Sequence, residues 1–515
     1  MVVWNVVLSI ITLAVVVYLY LKWHYNYWKR KGLYQIEPEL FYGNIKEFVQ
    51  QRLAFADQFT KLYNQLKSKG LKHGGIYLTL KPTYMPIDLD IIKNILQRDF
   101  PYMMNHGHYT NEEADPLTGH LFALENEKWR KMRTKLTPTF TSGKMKMMFP
   151  TMIACTKDLV EVLEDNARIQ DPVNVKEVAS GFTIDVIGSV AFGIDCCSLK
   201  NPDSEFRKFG KKIFMVSPMR RIKHIISTAV PRWVLLKLGY KQTEQEIEDF
   251  FMRVVGNTVK YREENNIYRK DFMHLLLQLK NRGRVTDDEI IFNKEDEKND
   301  AGHFITLNEL VAQCFVFFLA GFETSATTIT FVLLEIALAQ EVQDKLRDEI
   351  RSIREKHHQI TYEAVMEMHY LEMVIQETLR KHPPVPSVPR VSTKEYAVPG
   401  TDIILPTGTK VHIPVHAIQN DPEYYPEPDK FIPERFTEEN KSKRHPLSFL
   451  PFGEGPRLCI GARFGMLQIK VAVASIINTF KVTINDKTKL PIRYTTSTFV
   501  PTVEGDVWLD FHKLK

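Results

Sequence analysis

The segment with the clearest chemical character is FGEGPRLCIG at residues 452–461, which places one cysteine among three glycines and a proline. Glycine adopts backbone angles closed to other residues, so Gly453 and Gly455 allow a turn that directs N–H groups toward the Cys459 sulfur. Such hydrogen bonds moderate the charge of a metal-bound thiolate. Gly461 would let the next helix lie against a flat ligand. The spacing therefore favours a thiolate ligand, although a lone cysteine is more often a buried, inert thiol.

The other four cysteines indicate neither a disulfide framework nor a zinc site. They are Cys155, Cys196, Cys197 and Cys314, a sparse set typical of thiols in a reducing compartment. Their spacings match no zinc motif and no paired-cysteine haem attachment motif. A cysteine-held metal would therefore depend on Cys459 alone.

A second group of polar residues, AGFETS at residues 320–325, interrupts a long apolar segment. Burying Glu323 and Thr324 in an apolar helix costs free energy, which is unexpected unless the two residues have a role. One interpretation is functional. The other is that the Thr324 hydroxyl bonds back to the Ala320 carbonyl and bends the helix beside Gly321.

The helix that carries these residues should cross the centre of the protein. Thr306 and Glu309 form a capping-box pattern at its start, and the apolar run continues to about residue 339. At the standard rise of 1.5 Å per residue, such a helix would measure roughly 45 Å. It is apolar all round, which predicts burial.

The uncharged run at residues 2–21 is about as long as a helix needs to cross roughly 30 Å of hydrocarbon. Several basic residues follow and no acid precedes Glu37, so the positive-inside rule keeps the remaining chain cytosolic. The basic flank comprises Lys22, Lys29, Arg30 and Lys31, and the aromatic residues Trp23, Tyr25, Tyr27 and Trp28 suit the membrane interface. A cleaved signal peptide would have a shorter apolar core, and a buried helix would show a polar face.

The remaining pattern predicts one large domain. We expect a transmembrane anchor at residues 1–21, a basic and aromatic linker at 22–44 and a catalytic domain at 45–515. Residues 40–280 read as mainly helical with a strand at 75–80. A charged surface loop is expected at 281–302, helices near 361–382, and then proline-rich irregular chain to about 451. The net charge of +6 over 515 residues gives no support for nucleic-acid binding.

The cysteine segment resembles the thiolate-ligand loop of the cytochrome P-450 monooxygenases, which has phenylalanine, glycine, arginine, cysteine and glycine at these relative positions. The resemblance covers nearly the whole chain. It implies a mainly α fold with small β-sheets (α+β), a long central helix over the haem and an N-terminal transmembrane helix. It also implies haem b, with Cys459 as the iron ligand and Phe452, Arg457 and Gly461 beside it.

The same resemblance gives roles to the central helix. Ala320 would lie against the haem, Thr324 would hydrogen-bond dioxygen and Glu323 would help relay protons, which the reaction needs in a pocket that excludes water. A thiolate on the opposite side of the iron would supply electron density.

Four further residues resemble those with which the family holds the haem propionates. They are Trp129 and Arg133, four apart on one helix face, together with Arg390 and Arg457. Arginine suits this task because its planar fork pairs with a carboxylate in two places.

Glu377 and Arg380, three apart on a helix, and Arg435 in FIPERF resemble a buried ion-pair network of the family. This network would set the local fold and take no part in the chemistry.

The chain shows no dinucleotide fingerprint and no phosphate loop, so electrons from NADPH would arrive through a separate flavoprotein reductase, with cytochrome b5 as a further donor. The basic residues Arg130, Lys131 and Lys135 could dock an acidic flavoprotein surface, or form only a solvated face. The resemblance is greatest to the insect microsomal branch that oxidises foreign compounds and plant toxins at the endoplasmic reticulum.

Pocket walls are expected, by the same resemblance, from residues 101–124, 316–320, 385–388 and 495–499. Their aromatic residues, including Tyr102, Tyr109 and Phe122, indicate an apolar substrate.

Three hypotheses follow. The first is a monooxygenase that inserts one atom of dioxygen into an apolar compound. The second is a haem-thiolate isomerase or dehydratase acting on peroxides, against which Glu323 and Thr324 weigh. The third is a noncatalytic haem protein that senses a gas or carries electrons, which would need no apolar pocket.

Overall fold

The computed structural model describes residues 1–214, 220, 223, 226–227, 230–285 and 304–514. Helices dominate these ranges, and three small sheets of four, three and two strands accompany them. The predicted fold class, mainly α with small β-sheets, is confirmed. The charged loop predicted at residues 281–302 lies almost entirely outside the described residues.

The helices vary from single turns to a central segment of 32 residues. The α-helices run over Val2–His24, Tyr27–Arg30, Lys46–Val49, Phe55–Lys67, Leu89–Lys93, Asn126–Leu136, Ser142–Ile169, Val175–Ile187, Glu205–Phe214, Arg232–Lys237, Gln245–Glu264, Phe272–Arg282, Leu307–Leu338, Gln340–His357, Tyr362–Glu367, His369–Lys381, Val415–Gln419, Glu438–Ser442 and Ala462–Thr479. The strands are His73–Leu78, Lys81–Pro86, Val173–Asn174, Val388–Val391, Tyr396–Ala397, Ile404–Leu405, Lys410–Ile413, Phe480–Ile484 and Trp508–Lys513.

The four-stranded sheet joins two distant parts of the chain. His73–Leu78 and Lys81–Pro86 form an antiparallel hairpin, and Lys410–Ile413 pairs in parallel with the second of them. Val388–Val391 completes the sheet antiparallel to Lys410–Ile413. The strand predicted at residues 75–80 is therefore present, two residues earlier.

The central helix, Leu307–Leu338, forms as predicted. The Thr306 hydroxyl accepts from the Glu309 N–H at 3.1 Å and the Glu309 carboxylate accepts from the Thr306 N–H at 2.7 Å, which satisfies two otherwise unpaired donors. The helix is apolar and long enough to cross a membrane, but most of its most apolar stretch is buried within the protein. Val2–His24 passes the same test with none of its most apolar stretch buried.

Two hydrophobic clusters make up the interior. The helical core surrounds the central helix and includes the helices Ser142–Ile169 and Ala462–Thr479. The sheet core combines side chains from residues 21–103 with others from residues 388–450. The cysteine loop, residues 452–461, follows directly after the last residues of the sheet core.

Two stretches differ from the sequence-based expectation. The helix Gln340–His357 was not predicted, because it is highly charged and only Gln343, Leu346 and Ile350 are buried. The chain from residue 383 to 451, expected to be irregular, contains four strands and the helices Val415–Gln419 and Glu438–Ser442. Prolines in and beside these short strands interrupt the alternation of apolar and polar residues by which a strand is predicted.

The segment after the first helix packs against the protein. Trp28 is fully buried and Tyr25 nearly so, and both belong to the sheet core, whereas Trp23 stays exposed. The expectation that these aromatic rings all lie at a membrane interface is wrong for Tyr25 and Trp28, because the strand His73–Leu78 offers them an apolar surface.

Candidate functional site

The cysteine loop is shaped by its glycines. The Cys459 N–H donates to the Phe452 carbonyl at 2.9 Å, which closes the turn. Gly455 has a φ of +74°, and a Cβ there would lie 1.9 Å from the Leu96 carbonyl oxygen. Only glycine fits that position. The backbone of the cysteine loop therefore packs closely against residues 94–98.

The Cys459 sulfur faces an internal space. Cys459 has exposed surface area, but protein atoms surround it on most sides. This burial raises the pKa of its thiol. The backbone N–H of Gly461 and the Arg133 guanidinium oppose that rise in the pKa. A Cβ added to Gly461 would have its nearest contact among the described residues, outside its chain neighbours, at 4.0 Å, with the Phe140 ring. A thiol in this position becomes a stable thiolate when it binds a metal cation.

One short stretch of the central helix is more exposed than the residues around it. Ala320 is exposed and Thr324 is half-exposed, although the residues around them on the helix are mostly buried. The helix that follows the cysteine loop packs directly beside this patch, since a Cβ on Gly465 would lie 3.9 Å from the Ser325 hydroxyl. The chain therefore brings the predicted thiolate and the predicted oxygen-activating residues to neighbouring elements.

The Thr324 hydroxyl donates to the Ala320 carbonyl at 2.6 Å. This is the back-bonding geometry considered above as the structural alternative. It does not remove the hydroxyl from the site, because an oxygen that donates its proton to a carbonyl still has lone pairs that accept a hydrogen bond.

Glu323 points in a different direction from Thr324. Its carboxylate lies 2.8 Å from the Lys176 ammonium, which also donates to the Thr327 hydroxyl at 2.8 Å. Both charged side chains are largely buried. Among the described residues no hydrogen bond joins Glu323 to Thr324, so a proton passing between them needs a bridging water or a side-chain rotation. Lys176 carried no signal in the sequence, because its partner lies 147 residues away.

Three predicted arginines lie close enough together to influence one another. Burial and the nearby positive charges of Arg390 and Arg133 lower the pKa of Arg457 to about 9, against the opposing effect of the Glu125 carboxylate. Burial lowers the pKa of Arg390 to about 10, and it also lowers the pKa of Arg133. In the part of the chain that the structure describes, the Arg390 Nε–H has no hydrogen-bond partner. No carboxylate among the described residues forms an ion pair with any of the three.

Arg457 also ties the cysteine loop to a predicted pocket wall. Its guanidinium donates to the carbonyls of Met104, Leu121 and Leu124 at 2.9, 3.2 and 2.8 Å. The same group stacks on the Trp129 ring at 4.1 Å, as a cation over an aromatic face. Three of its five N–H groups are used in this way, and two remain for a ligand.

Haem b fits these residues. It carries two propionate carboxylates, and the site offers the buried Arg390 and Arg457 and the half-buried Arg133. None of the three forms an ion pair with a carboxylate of the described residues, and the Arg390 Nε–H has no partner there. Unpaired buried charges are costly, so such a cluster indicates an anionic partner. A flat apolar ring suits the space between the exposed Ala320 and the glycine-lined Cys459 loop.

The predicted ion-pair network is present. Arg380 pairs with Glu377 through two N–H groups at 2.8 and 3.0 Å, and the Arg435 Nε lies 3.3 Å from the same carboxylate. Glu377 and Arg380 are fully buried. The Arg380 guanidinium also donates to the Gln419 and Pro428 carbonyls, so it joins three segments behind the cysteine loop.

The aromatic residues of the first expected pocket wall are not grouped together. Phe122 lies against the His106 and His108 rings, at 4.3 and 5.0 Å. Tyr102 packs against Tyr396, while Tyr109 donates to the Tyr240 carbonyl at 2.9 Å. Sequence reasoning missed His106, a buried ring whose pKa is held well below its usual value by burial and by the Arg390 and Arg457 charges.

Of the predicted reductase-docking cations, Arg130 and Lys131 are exposed. Arg130 pairs with Glu127 at 2.9 Å. Lys135 is half-buried, and its ammonium donates to the Phe304 carbonyl at 3.0 Å.

Known proteins of one family resemble this chain over nearly its whole length. The family model for Cytochrome P450 matches residues 37–507. "Probable cytochrome P450 6a20" of Drosophila melanogaster is 41% identical over 494 residues, covering 95% of this chain and 96% of that protein. "Cytochrome P450 6a2" of the same fly is 40% identical over 508 residues, covering 97% and 98%. "Cytochrome P450 6A1" of Musca domestica is 38% identical over 501 residues, covering 96% and 95%.

Proposed function

This chain belongs to the cytochrome P450 family, and we propose that it oxidises apolar foreign compounds, such as plant toxins and insecticides, with endogenous lipids as a further substrate class. Its general activity follows from the family. It is a haem b enzyme and a monooxygenase that draws electrons from NADPH through a separate reductase. The predicted likeness to insect proteins is confirmed by the fly relatives.

When bound, haem supplies the iron at which dioxygen is activated, with a cysteine thiolate as its protein ligand. We assign that ligand to Cys459. The observation that supports this assignment is the combination of an exposed sulfur surrounded by protein atoms with three nearby arginines that form no ion pair with a carboxylate of the described residues. Arg133, Arg390, Arg457 and Trp129 would orient the propionates, and Phe452, Gly461 and Ala320 would contact the ring.

Thr324 and Glu323 would control protons and water on the other side of the site. The Thr324 oxygen can accept a hydrogen bond while its own O–H group donates to the Ala320 carbonyl. The Lys176 ammonium holds the Glu323 carboxylate at the edge of the central helix. A pocket with room for about one water molecule lies beside Lys176 and Thr327. These contacts support a supply of protons from the side of the helix that faces Lys176.

We place the enzyme at the endoplasmic reticulum membrane with Val2–His24 as a single anchor and the catalytic domain on the cytosolic face. The exposed apolar helix and the basic residues that follow it support this orientation. Arg130 and Lys131 form an exposed basic surface on the Arg133-bearing helix, which suits an acidic reductase or cytochrome b5.

Reconstitution tests the proposed activity. The purified protein with a flavoprotein reductase, NADPH and phospholipid should convert apolar plant toxins or insecticides to products carrying one added oxygen atom. Labelled dioxygen should supply that atom. Product formation without the reductase, or incorporation of oxygen from water, would contradict the proposal.

Replacement of Thr324 by alanine should preserve haem binding and NADPH consumption but divert the electrons to hydrogen peroxide. Positioned groups that move protons contribute roughly 10²-fold or more, so product per NADPH should fall by at least about 10-fold. The matched control is Thr330→Ala, which removes a similar back-bonded hydroxyl from a buried position. Equal coupling of NADPH to product in wild type and Thr324→Ala would exclude the proposed role.

A further inference from the structure

His120 lies on a segment that joins the two halves of the candidate site. The Gln313 side-chain oxygen accepts from the Leu121 N–H at 2.9 Å, and its amide group donates to the Gly119 carbonyl at 3.3 Å. These hydrogen bonds hold both neighbours of His120 on the central helix. From the cysteine loop, the Arg457 guanidinium donates to the Leu121 carbonyl at 3.2 Å. His120 is therefore fixed between the central helix and the cysteine loop.

The face of the central helix that holds this segment also carries the exposed Ala320. Gln313 and Ala320 are seven residues apart, which places them on one face at a separation of about 10 Å along the helix axis. The His120 ring lies beside Phe315, with 6.2 Å between the ring centroids. His120 is therefore within about two helical turns of Ala320.

The His120 ring borders an internal space. Protein atoms surround the residue on all sides, yet it keeps some exposed surface area. The same combination is found at His412, in the strand Lys410–Ile413. The charge of a protonated His108 acts on both rings, so His108 lies near each of them. Three histidine rings are therefore grouped at one internal space.

His120 is uncharged at neutral pH. Burial, together with a smaller effect of the nearby His108 charge, lowers the pKa of its imidazole to about 3. The ring is consequently unprotonated throughout the range in which free histidine titrates. A neutral imidazole has one N–H donor and one nitrogen that accepts.

The hydrogen bond made by one nitrogen of His120 determines the role of the other. The Ala123 N–H donates to the His120 Nδ1 at 3.3 Å. A backbone N–H can only donate, so Nδ1 carries no proton and the single proton of the ring is on Nε2. In His106 the Nδ1 lies 2.9 Å from the Phe122 carbonyl, which can only accept, so the two nitrogens have the opposite roles. Among these two rings, His120 is the one with a donor at Nε2.

The surroundings of this donor are mostly apolar. Phe315 lies beside the ring, and Phe122, two residues along the chain, has a side chain that is 46% exposed. Among the residues that the structure describes, no hydrogen bond reaches the His120 Nε2–H. An N–H group enclosed without a partner costs free energy, which an acceptor on a ligand recovers and a purely apolar ligand does not.

We propose that His120 is a specificity-determining residue that donates a hydrogen bond from Nε2 to an oxygen atom of the substrate. The preferred substrates are then apolar compounds with a carbonyl, lactone or ether oxygen, and hydrocarbons of the same shape are disfavoured. The inference rests on the proposed oxidation of apolar foreign compounds and names the members of that class that the site selects.

Two probes of equal shape test this preference on the purified holoenzyme. The methyl ketone of naphthalene has a carbonyl oxygen where isopropenylnaphthalene has a methylene group. Equilibrium dialysis measures the Kd of each compound, and infrared difference spectroscopy of the isotope-labelled ketone measures its carbonyl stretching frequency in the complex. In the wild type this frequency should be lower than in a hydrocarbon solvent, because a hydrogen bond weakens the carbonyl bond.

Two substitutions separate the substrate contact from a role in the fold. His120→Gln keeps an N–H group near the position of Nε2 but loses the acceptor for the Ala123 N–H. His120→Asn keeps an acceptor near the position of Nδ1 but loses the donor. In His120→Asn the Kd of the ketone should rise about 5-fold relative to that of the hydrocarbon, the effect of one ordinary hydrogen bond, and the carbonyl frequency should increase. Both values should stay close to wild type in His120→Gln.

His512→Gln is the matched control, because it changes an exposed histidine whose ring lies 2.9 Å from the Thr483 hydroxyl. It should leave both measurements unchanged. Wild-type values in His120→Asn together with altered values in His120→Gln would show that His120 serves only the Ala123 N–H, and would overturn the proposal. A carbonyl frequency in the wild type equal to that in hydrocarbon solvent would overturn it as well, while binding of both probes would leave the proposed function intact. Failure of the wild type to bind either probe or any other apolar compound would instead overturn the proposed function, and this inference with it.

Discussion

Replacement of Cys459 by alanine should abolish the thiolate-type carbon monoxide difference spectrum of the reduced protein and lower product formation to background. The sulfur lies in an internal space where burial favours the neutral thiol and raises its pKa, so only a bound cation makes the thiolate stable. No other described cysteine can replace that sulfur, because none lies on the cysteine loop: Cys155, Cys196 and Cys314 pack in the helical core, and Cys197 is exposed on the surface.

The control for this experiment is Cys197→Ser, which removes an exposed thiol from the surface. It should leave both the spectrum and the turnover unchanged. A thiolate-type band that survives Cys459→Ala would show that the ligand has been assigned to the wrong residue, whereas loss of the band in both variants would indicate general damage to the fold.

Replacement of Glu377 by glutamine should destabilise the protein by about 3 to 5 kcal/mol, the usual cost of leaving a buried charge without its partner. The carboxylate pairs with Arg380 and Arg435 and accepts from the Ile432 N–H at 3.0 Å, all in the interior. A neutral amide accepts some of these hydrogen bonds but does not compensate two guanidinium charges. The measurement is the denaturant concentration at which the carbon monoxide difference spectrum is lost.

Glu438→Gln is the matched control, because Glu438 is almost fully exposed and its one ion pair with a described residue is to Lys441, at 2.9 Å. Its denaturation midpoint should equal that of the wild type. Equal midpoints for Glu377→Gln and the wild type would mean that the network adds no stability, and that its three members are held by the surrounding backbone contacts alone.

The parts of the site that the sequence predicted are those defined by short spacings. The cysteine loop, the capped central helix and the Glu377–Arg380 pair each depend on residues within about one or two turns, so periodicity and glycine placement are sufficient. The family resemblance added Arg133, Arg390 and Arg457. The structure groups these arginines around one space, although they come from three distant segments.

The parts that the sequence did not predict depend on contacts between distant residues. Lys176 donates a hydrogen bond to Glu323, which is 147 residues away in the sequence. Arg457 donates to three carbonyls of the expected pocket wall at residues 104–124. The burial of Tyr25 and Trp28 was missed for a related reason. An aromatic residue beside an apolar helix is equally suited to a membrane interface and to a protein core, and only the strand it packs against decides between them.

The sheet core has a consequence for how the chain is made. Its first half, which ends at Met103, leaves the ribosome long before its second half, which begins at Val388. Synthesis proceeds at roughly 5 to 20 residues per second, so the early strands wait about 15 to 60 s for their partners. During that interval the early strands present an unpaired sheet edge, while the proposed anchor helix has already left the ribosome. Chaperones are therefore expected to bind residues 73–103 of the growing chain until the C-terminal quarter is complete.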